Sequence, residues 1–195
     1  MDHGFLGEAP QSTAAEGLFD VDVEELGYVM NATRLWAHQP EAMPALFDVL
    51  QMATDAGELS FRERAILVTA CASSLGDSYC SLAWGRKLAD RADPTTAAAV
   101  LVGTDSELTP AEHALAEWAR GVVTDPNATT RSDVDGLRAA GFSDKKVFAA
   151  TLYVALRLAF STVNDALGSR PDAELVASVP PVVRDAVNYG RPAAD

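Results

Sequence analysis

The chain has 195 residues, 48% of them hydrophobic, with 15 Lys+Arg against 28 Asp+Glu and a formal net charge of −13. That length and apolar content suit one compact domain with a real core and exclude a mostly disordered chain. The acidic balance argues against nucleic acid and anionic lipid as partners, and two cysteines are too few for a disulfide framework.

Met1 to Asp20 is acidic and broken by Gly4, Gly7, Pro10 and Gly17. It lacks the basic start and apolar stretch of a signal peptide. Residues 1–19 are therefore read as a flexible segment, and 20–190 as one helical domain. Val21 to His38 carries Val23, Leu26, Val29, Met30, Thr33 and Trp36 at helical spacing, and Pro40 stops it. A second helix runs from Glu41 to Ala56, with Pro44 in its first turn and Gly57 at its end. Ser60-Phe61-Arg62-Glu63 has the form of a capping box. It opens a helix to Leu75 that is apolar on nearly every side and so expected at the centre.

Gly76 breaks that helix, and Asp77 is the N-cap of the next, Ser78 to Ala92. Pro94 and Thr95 start a short Ala-rich helix ending at Gly103. Asp93–Thr109 reads as a hinge between subdomains. Thr109-Pro110-Ala111-Glu112 is a second capping box, leading to Asp125-Pro126. A short helix from Ser132 to Ala140 follows. Ser143 then caps a long helix to Leu167, apolar around most of its circumference. Its most apolar window, Val147 to Phe160, is interrupted by Arg157 and too short to cross a bilayer. Gly168 ends it, Pro180-Pro181 splits the C-terminal segment, and the tail is expected to fray after Gly190. With no strand signal, the pattern predicts an all-α fold of two helical layers around Arg64–Leu75 and Lys145–Leu167.

Asp77, Tyr79 and Cys80 stand out at a helix start. Leu59-Ser60-Phe61-Arg62-Glu63-Arg64-Ala65-Ile66-Leu67 followed by Gly76-Asp77-Ser78-Tyr79-Cys80 resembles the core signature of the carboxymuconolactone decarboxylase and alkylhydroperoxidase-D-like superfamily. Gly141-Phe142-Ser143-Asp144, Asn164-Asp165-Ala166-Leu167-Gly168 and Asn31 to Pro40 resemble its peroxidase-related branch. The resemblance implies an alkylhydroperoxidase-D-like all-α fold, a trimer or hexamer, and a redox or acid/base site at the Cys80 helix. It implies antioxidant activity on a peroxide in members that carry a Cys-x-x-Cys pair, a relay Glu and a His. Here the first cysteine is Asp77, the His is Trp84 and the relay Glu is Ala65, so a Cys-x-x-Cys disulfide cycle cannot run. Glu63, two residues before Ala65, points roughly 200° around the helix.

The helix start favours a Cys80 thiolate, whereas Asp77 opposes it. Tyr79 offers a phenol as donor or acid, and Asp77 is a candidate general base. Trp84, Arg157 and His38 are candidate substrate-binding residues. Arg157 and Asp165, eight residues on, are expected to form an ion pair, with an anion-binding Arg157 as the alternative. Asn164 is an interface or pocket residue, and Arg34 and His38 could line a site with Trp36. His3, His38 and His113 show no metal-ligand spacing, so neither metal nor cofactor is expected. Three readings follow: a one-cysteine peroxide or thiol redox enzyme, a lyase or isomerase acting on a small carboxylated or lactone substrate through Asp77, and a non-catalytic oligomeric binding protein. All three are expected as cytoplasmic homo-oligomers with reduced thiols.

Overall fold

The computed structural model describes residues 4–194. Among them there is no strand. The chain runs through α1 (Thr13–Leu26), α2 (Asn31–Trp36), α3 (Ala42–Gly57), α4 (Phe61–Leu75), α5 (Ser78–Arg91) and α6 (Pro94–Val102). It continues through α7 (Pro110–Thr124), α8 (Arg131–Ala139), α9 (Asp144–Ala166), α10 (Ala173–Ser178) and α11 (Pro181–Ala186).

The capping chemistry sets most of these bounds. Ser60 and Glu63 bond reciprocally at the start of α4, and Thr109 and Glu112 do the same for α7. Asp93 Oδ1 accepts the Thr95 and Thr96 amides to open α6. The helix expected over Val21–His38 is instead two helices. Ser12 caps α1, which begins at Thr13. Gly27, at φ 84°, ends it in the left-handed region. The Asp22 carboxylate then accepts the Met30 amide at 2.9 Å, which satisfies the backbone where the chain turns into α2. Val21, Val23 and Leu26 consequently face outward, at 51%, 52% and 39% exposure.

Every residue from Ala65 to Ala72 is buried. That stretch of α4 is the centre of the fold, with α5, α6, α7 and α9 packed around it. The Asp93–Thr109 stretch, read as a hinge, holds α6 against α4 and α5. Arg120 on α7 ties it down further, bonding both Asp105 oxygens and the Val100 carbonyl. The other long helix, α9, packs on α3, α4 and α7. Among the described residues it is the one helix long and apolar enough to cross a membrane, and it carries the buried Arg157. Its burial is one-sided, with Phe148 71% exposed. The apolar circumference that predicted a central helix thus includes a stripe that this chain alone does not cover.

The α3–α9 contact is close because residue 57 has no side chain. A Cβ there would sit 2.5 Å from the Ala149 Cβ. Gly57→Ala must push the helices apart, an overpacking cost of about 1–3 kcal/mol. Urea unfolding should show that loss as a lower midpoint with an unchanged slope.

Candidate functional site

Asp77 closes the turn between α4 and α5. Its Oδ1 accepts the Cys80 amide at 2.9 Å, the N-cap bond expected of an aspartate there. The carboxylate is 0% exposed, and its Oδ2 has no hydrogen-bond partner among the described residues. Cys80, in the first turn of α5, is 2% exposed. Arg157 reaches it from α9, with Nη2 3.5 Å from Sγ. Ser161, one turn further along α9, faces the same sulfur.

Arg157 itself is 3% exposed. No carboxylate lies within ion-pairing distance of it among the described residues, and its Nε has no hydrogen-bond partner there. Rings surround it instead. The guanidinium carbon is 4.9 Å from the Phe160 centroid, 5.2 Å from Trp84 and 6.0 Å from Phe47. Trp84 carries the Lys87 ammonium 4.6 Å from its own centroid. Phe47 is partly exposed, so it and the Trp84–Lys87 pair form the solvent side of the cluster.

Burial, and after it the Asp77 charge, push the Cys80 thiol well above its ordinary range. Arg157 and Ser161 pull in the opposite direction and do not win. Burial also pushes Cys71 on α4 up to about 12, and it feels the same Arg157 and Asp77 charges. Both are free thiols. At neutral pH each is therefore protonated at rest.

Four of the six predicted site residues come together here: Cys80, Asp77, Trp84 and Arg157. Tyr79 does not, because one residue along a helix is a turn of about 100°. Its hydroxyl donates to the Asp172 carboxylate, which also accepts the Asn31 amide. Burial and Asp172 push the Tyr79 phenol well above its usual range. His38 lies at the N-terminal segment, where Nε2 donates to the Gly7 carbonyl at 3.1 Å. The expected Arg157–Asp165 ion pair is also absent among the described residues. Arg34 lies 5.9 Å from the Phe19 centroid, and Trp36 turns inward to Asn164. Glu63 is occupied by its cap and by Lys146, 2.7 Å away.

Ser161, Phe47 and Phe160 were not singled out from the sequence. Arg157 and Ser161 are four residues apart in a helix, which is a signal, but one indistinguishable from ordinary core periodicity. The C-terminal tail was missed outright. Tyr189 Oη donates to Ser81 Oγ at 3.0 Å, and Ser78 Oγ donates to the Arg191 carbonyl at 2.7 Å. Arg170 binds the Pro192 and Ala193 carbonyls, and the Ala194 amide bonds the Pro171 carbonyl. The expected fraying is thus replaced by a segment bound over the start of α5. Most of these bonds end on backbone carbonyls, which leave no mark in a side-chain pattern.

Asp105, His113 and Glu117 bring possible ligand atoms within 4.8 Å of one another. Arg120 already bonds both carboxylates, and its charge fills the place of a cation. A groove of about 630 Å³ between α7 and α8 is lined by His113 and Glu117 of this cluster, without Asp105. Another of about 540 Å³ lies under residues 4–12. Neither is lined by Cys80, Asp77 or Arg157, all three of which are buried among the helices.

One carboxylate reports on the site. Burial, then Asp77, push Asp165 up to about 7, against the pull of Arg191. A carboxyl raised in the folded state favours folding at low pH and loses that contribution as pH rises toward 7. Asp165→Asn should therefore raise the melting temperature at about pH 8 and leave it unchanged near pH 4. After allowance for partial exposure, a rise of about 2–4 °C is expected, the effect of roughly 1 kcal/mol in a chain of this size. A pH series of thermal melts measures it.

No family model matches the sequence, and no curated protein does. Solved structures do match. An uncharacterized peroxidase-related protein from Silicibacter sp. TM1040 superposes with a TM-score of 0.79 at 21% identity, over 90% of this chain and 95% of that one. A second, described as an alkylhydroperoxidase AhpD core and peroxidase-related protein from Ralstonia eutropha JMP134, gives 0.77 at 20% identity, again over 90% and 95%. The debrominase Bmp8 gives 0.71 at 16% identity over 94% and 98%. The chain thus has the all-α fold of these peroxidase-related and alkylhydroperoxidase-core structures.

Proposed function

We propose that this protein is a thiol oxidoreductase that reduces a small peroxide through Cys80. The observation that carries this reading is Arg157. A buried guanidinium with five N–H donors makes one hydrogen bond among the described residues, to the Cys80 sulfur. Such a group stabilises a thiolate and any negative oxygen formed beside it.

In the first step the Cys80 thiol gives its proton to Asp77, whose Oδ2 is unbonded. The thiolate attacks one peroxide oxygen and the O–O bond breaks. Sulfur is oxidised by two electrons to the sulfenic acid, and the departing oxygen takes the proton from Asp77 to leave as alcohol or water. An external thiol condenses with the sulfenic acid, releasing water and forming a mixed disulfide. A second external thiol cleaves that disulfide and restores Cys80. Metal and cofactor have no part in these steps. A reducing cytoplasm supplies the external thiols. Phe148 on α9 and Met52 on α3 are exposed on two helices that pack together, and a homo-oligomer contact would cover them.

The raised thiol value favours a second reading, a non-catalytic oligomeric binding protein whose redox site is lost. Peroxide treatment followed by sulfenic-acid trapping and intact mass separates the two. The enzyme reading expects one trapped oxygen on Cys80, none in Cys80→Ser, and retention in Cys71→Ser. An untouched Cys80 at peroxide excess rejects it.

Asp77 gives a sharper test, because its two effects have opposite signs. Asp77→Asn removes the negative charge and lowers the thiol value, so iodoacetamide should alkylate Cys80 about tenfold faster at pH 7. The same variant loses the proton carrier, and peroxide reduction should slow by about 100-fold. Stopped-flow oxidation and alkylation time courses on one preparation check both. Parallel changes in the two rates would remove Asp77 from the proposed chemistry.

A further inference from the structure

The inner face of α9 continues past Ser161. Asn164 lies seven residues beyond Arg157, nearly in line with it on the helix. Arg157, Ser161 and Asn164 are 3%, 1% and 0% exposed, a polar row inside the core. Trp36 Nε1 donates to Asn164 Oδ1 at 2.9 Å. The indole is held in turn by stacking on Phe160, with centroids 5.3 Å apart and planes at 11°. An indole N–H can only donate, so this bond fixes which end of the amide is oxygen. Asn164 Nδ2 is thereby aimed away from Trp36, and it has no hydrogen-bond partner among the described residues. Arg191 bonds the Asp165 carbonyl, and its own carbonyl accepts from Ser78 Oγ, which sets this end of α9 beside the start of α5.

A buried N–H donor without an acceptor costs stability, and a Leu of the same size would remove that cost. Two donors on one face of α9, Arg157 Nε and Asn164 Nδ2, stand unbonded, and Asp77 Oδ2 is an unbonded acceptor. A hydroperoxide matches that set. It has one O–H to donate and two adjacent oxygens to accept, and the oxygen remote from sulfur turns anionic as the O–O bond breaks.

We infer that Asn164 Nδ2 donates to the peroxide oxygen that leaves, with Trp36 as the positioning residue that aims it. This rests on the peroxide reading above and adds the residues that recognise the leaving group. It makes the preferred substrate a small hydroperoxide whose leaving oxygen is compact enough to enter the core, with hydrogen peroxide as the limiting case.

The test compares two second-order rates at Cys80, oxidation by hydrogen peroxide and alkylation by iodoacetamide, in the full chain. Asn164→Leu should slow oxidation about 100-fold, the usual loss when one oxyanion donor is removed, and leave alkylation within about twofold. Trp36→Phe keeps the ring stack and loses the N–H, and should slow oxidation about tenfold with alkylation unchanged. A purely structural role would move both rates together or move neither, and either result overturns the assignment. If Asn164→Leu does not fold, Trp36→Phe decides alone, and an unchanged ratio of the two rates overturns it. A wild-type Cys80 that alkylates but never oxidises overturns the peroxide reading together with this one. A wild type that oxidises at the same rate as Asn164→Leu overturns only the role of Asn164.

Discussion

Burying a guanidinium costs several kcal/mol unless its charge and its donors are answered, and Arg157 is answered in an unusual way. Its charge meets three aromatic rings rather than a carboxylate. Each such contact is worth about 0.5–2 kcal/mol when water is excluded, so together they offset much of the burial cost. The rings come from three helices: Phe47 from α3, Trp84 from α5 and Phe160 from α9. Holding the arginine therefore holds those helices in register. The close α3–α9 approach at Gly57 and the buried Ala65–Ala72 stretch of α4 serve the same arrangement. Because the rings answer the charge from their faces, the guanidinium N–H groups are left to meet the Cys80 sulfur.

Cys80 lies between opposing electrostatic effects, and their order settles its resting state. The helix start, Arg157 and Ser161 all favour a thiolate. Desolvation and the Asp77 charge oppose it, and these dominate. Desolvation acts on the charged form in proportion to burial, and at 2% exposure it is close to its full value. A neutral resting thiol has a consequence for selectivity. A permanently ionised cysteine reacts with any electrophile that reaches it. A protonated one reacts only when its proton has somewhere to go, and in the proposed chemistry that place is the unbonded Oδ2 of Asp77. On that proposal the aspartate that raises the thiol value is also the group that takes its proton.

Much of this fold was legible in the chain because capping residues state their purpose locally. Ser60, Asp77, Asp93, Thr109 and Ser143 each accept a backbone amide where a helix begins, and no distant partner is needed. The Val21–His38 helix failed because apolar spacing was allowed to outvote Gly27. A left-handed glycine ends a helix whatever the periodicity beyond it. Cys80, Asp77 and Arg157 could be named in advance, since each is out of place by local rules: a thiol in a first turn, a carboxylate where the resembled motif has a thiol, a charge in an apolar helix. What no local rule supplies is which distant side chain meets which. Arg157 was matched with Asp165 on its own helix and is found at Cys80, 77 residues earlier in the chain. Tyr79 was grouped with Cys80 through sequence adjacency, which on a helix separates side chains.

The C-terminal tail shows the same limit and ties the periphery to the centre. Arg191 bonds the Asp165 carbonyl, Ser78 bonds the Arg191 carbonyl, and Tyr189 bonds Ser81. These contacts bracket the turn in which Asp77 caps α5. A segment that reads as polar and unstructured thus dehydrates the α5 start, and dehydration is the largest reason that the Cys80 and Asp165 values are raised. Arg191 also stands against the Phe5 ring, 4.7 Å from its centroid, so the two ends of the described chain meet over the same region. Loosening either end admits water to the cap, which lowers both values by the same mechanism. By this solvation argument, contacts at the surface act on the value of a thiol at the core.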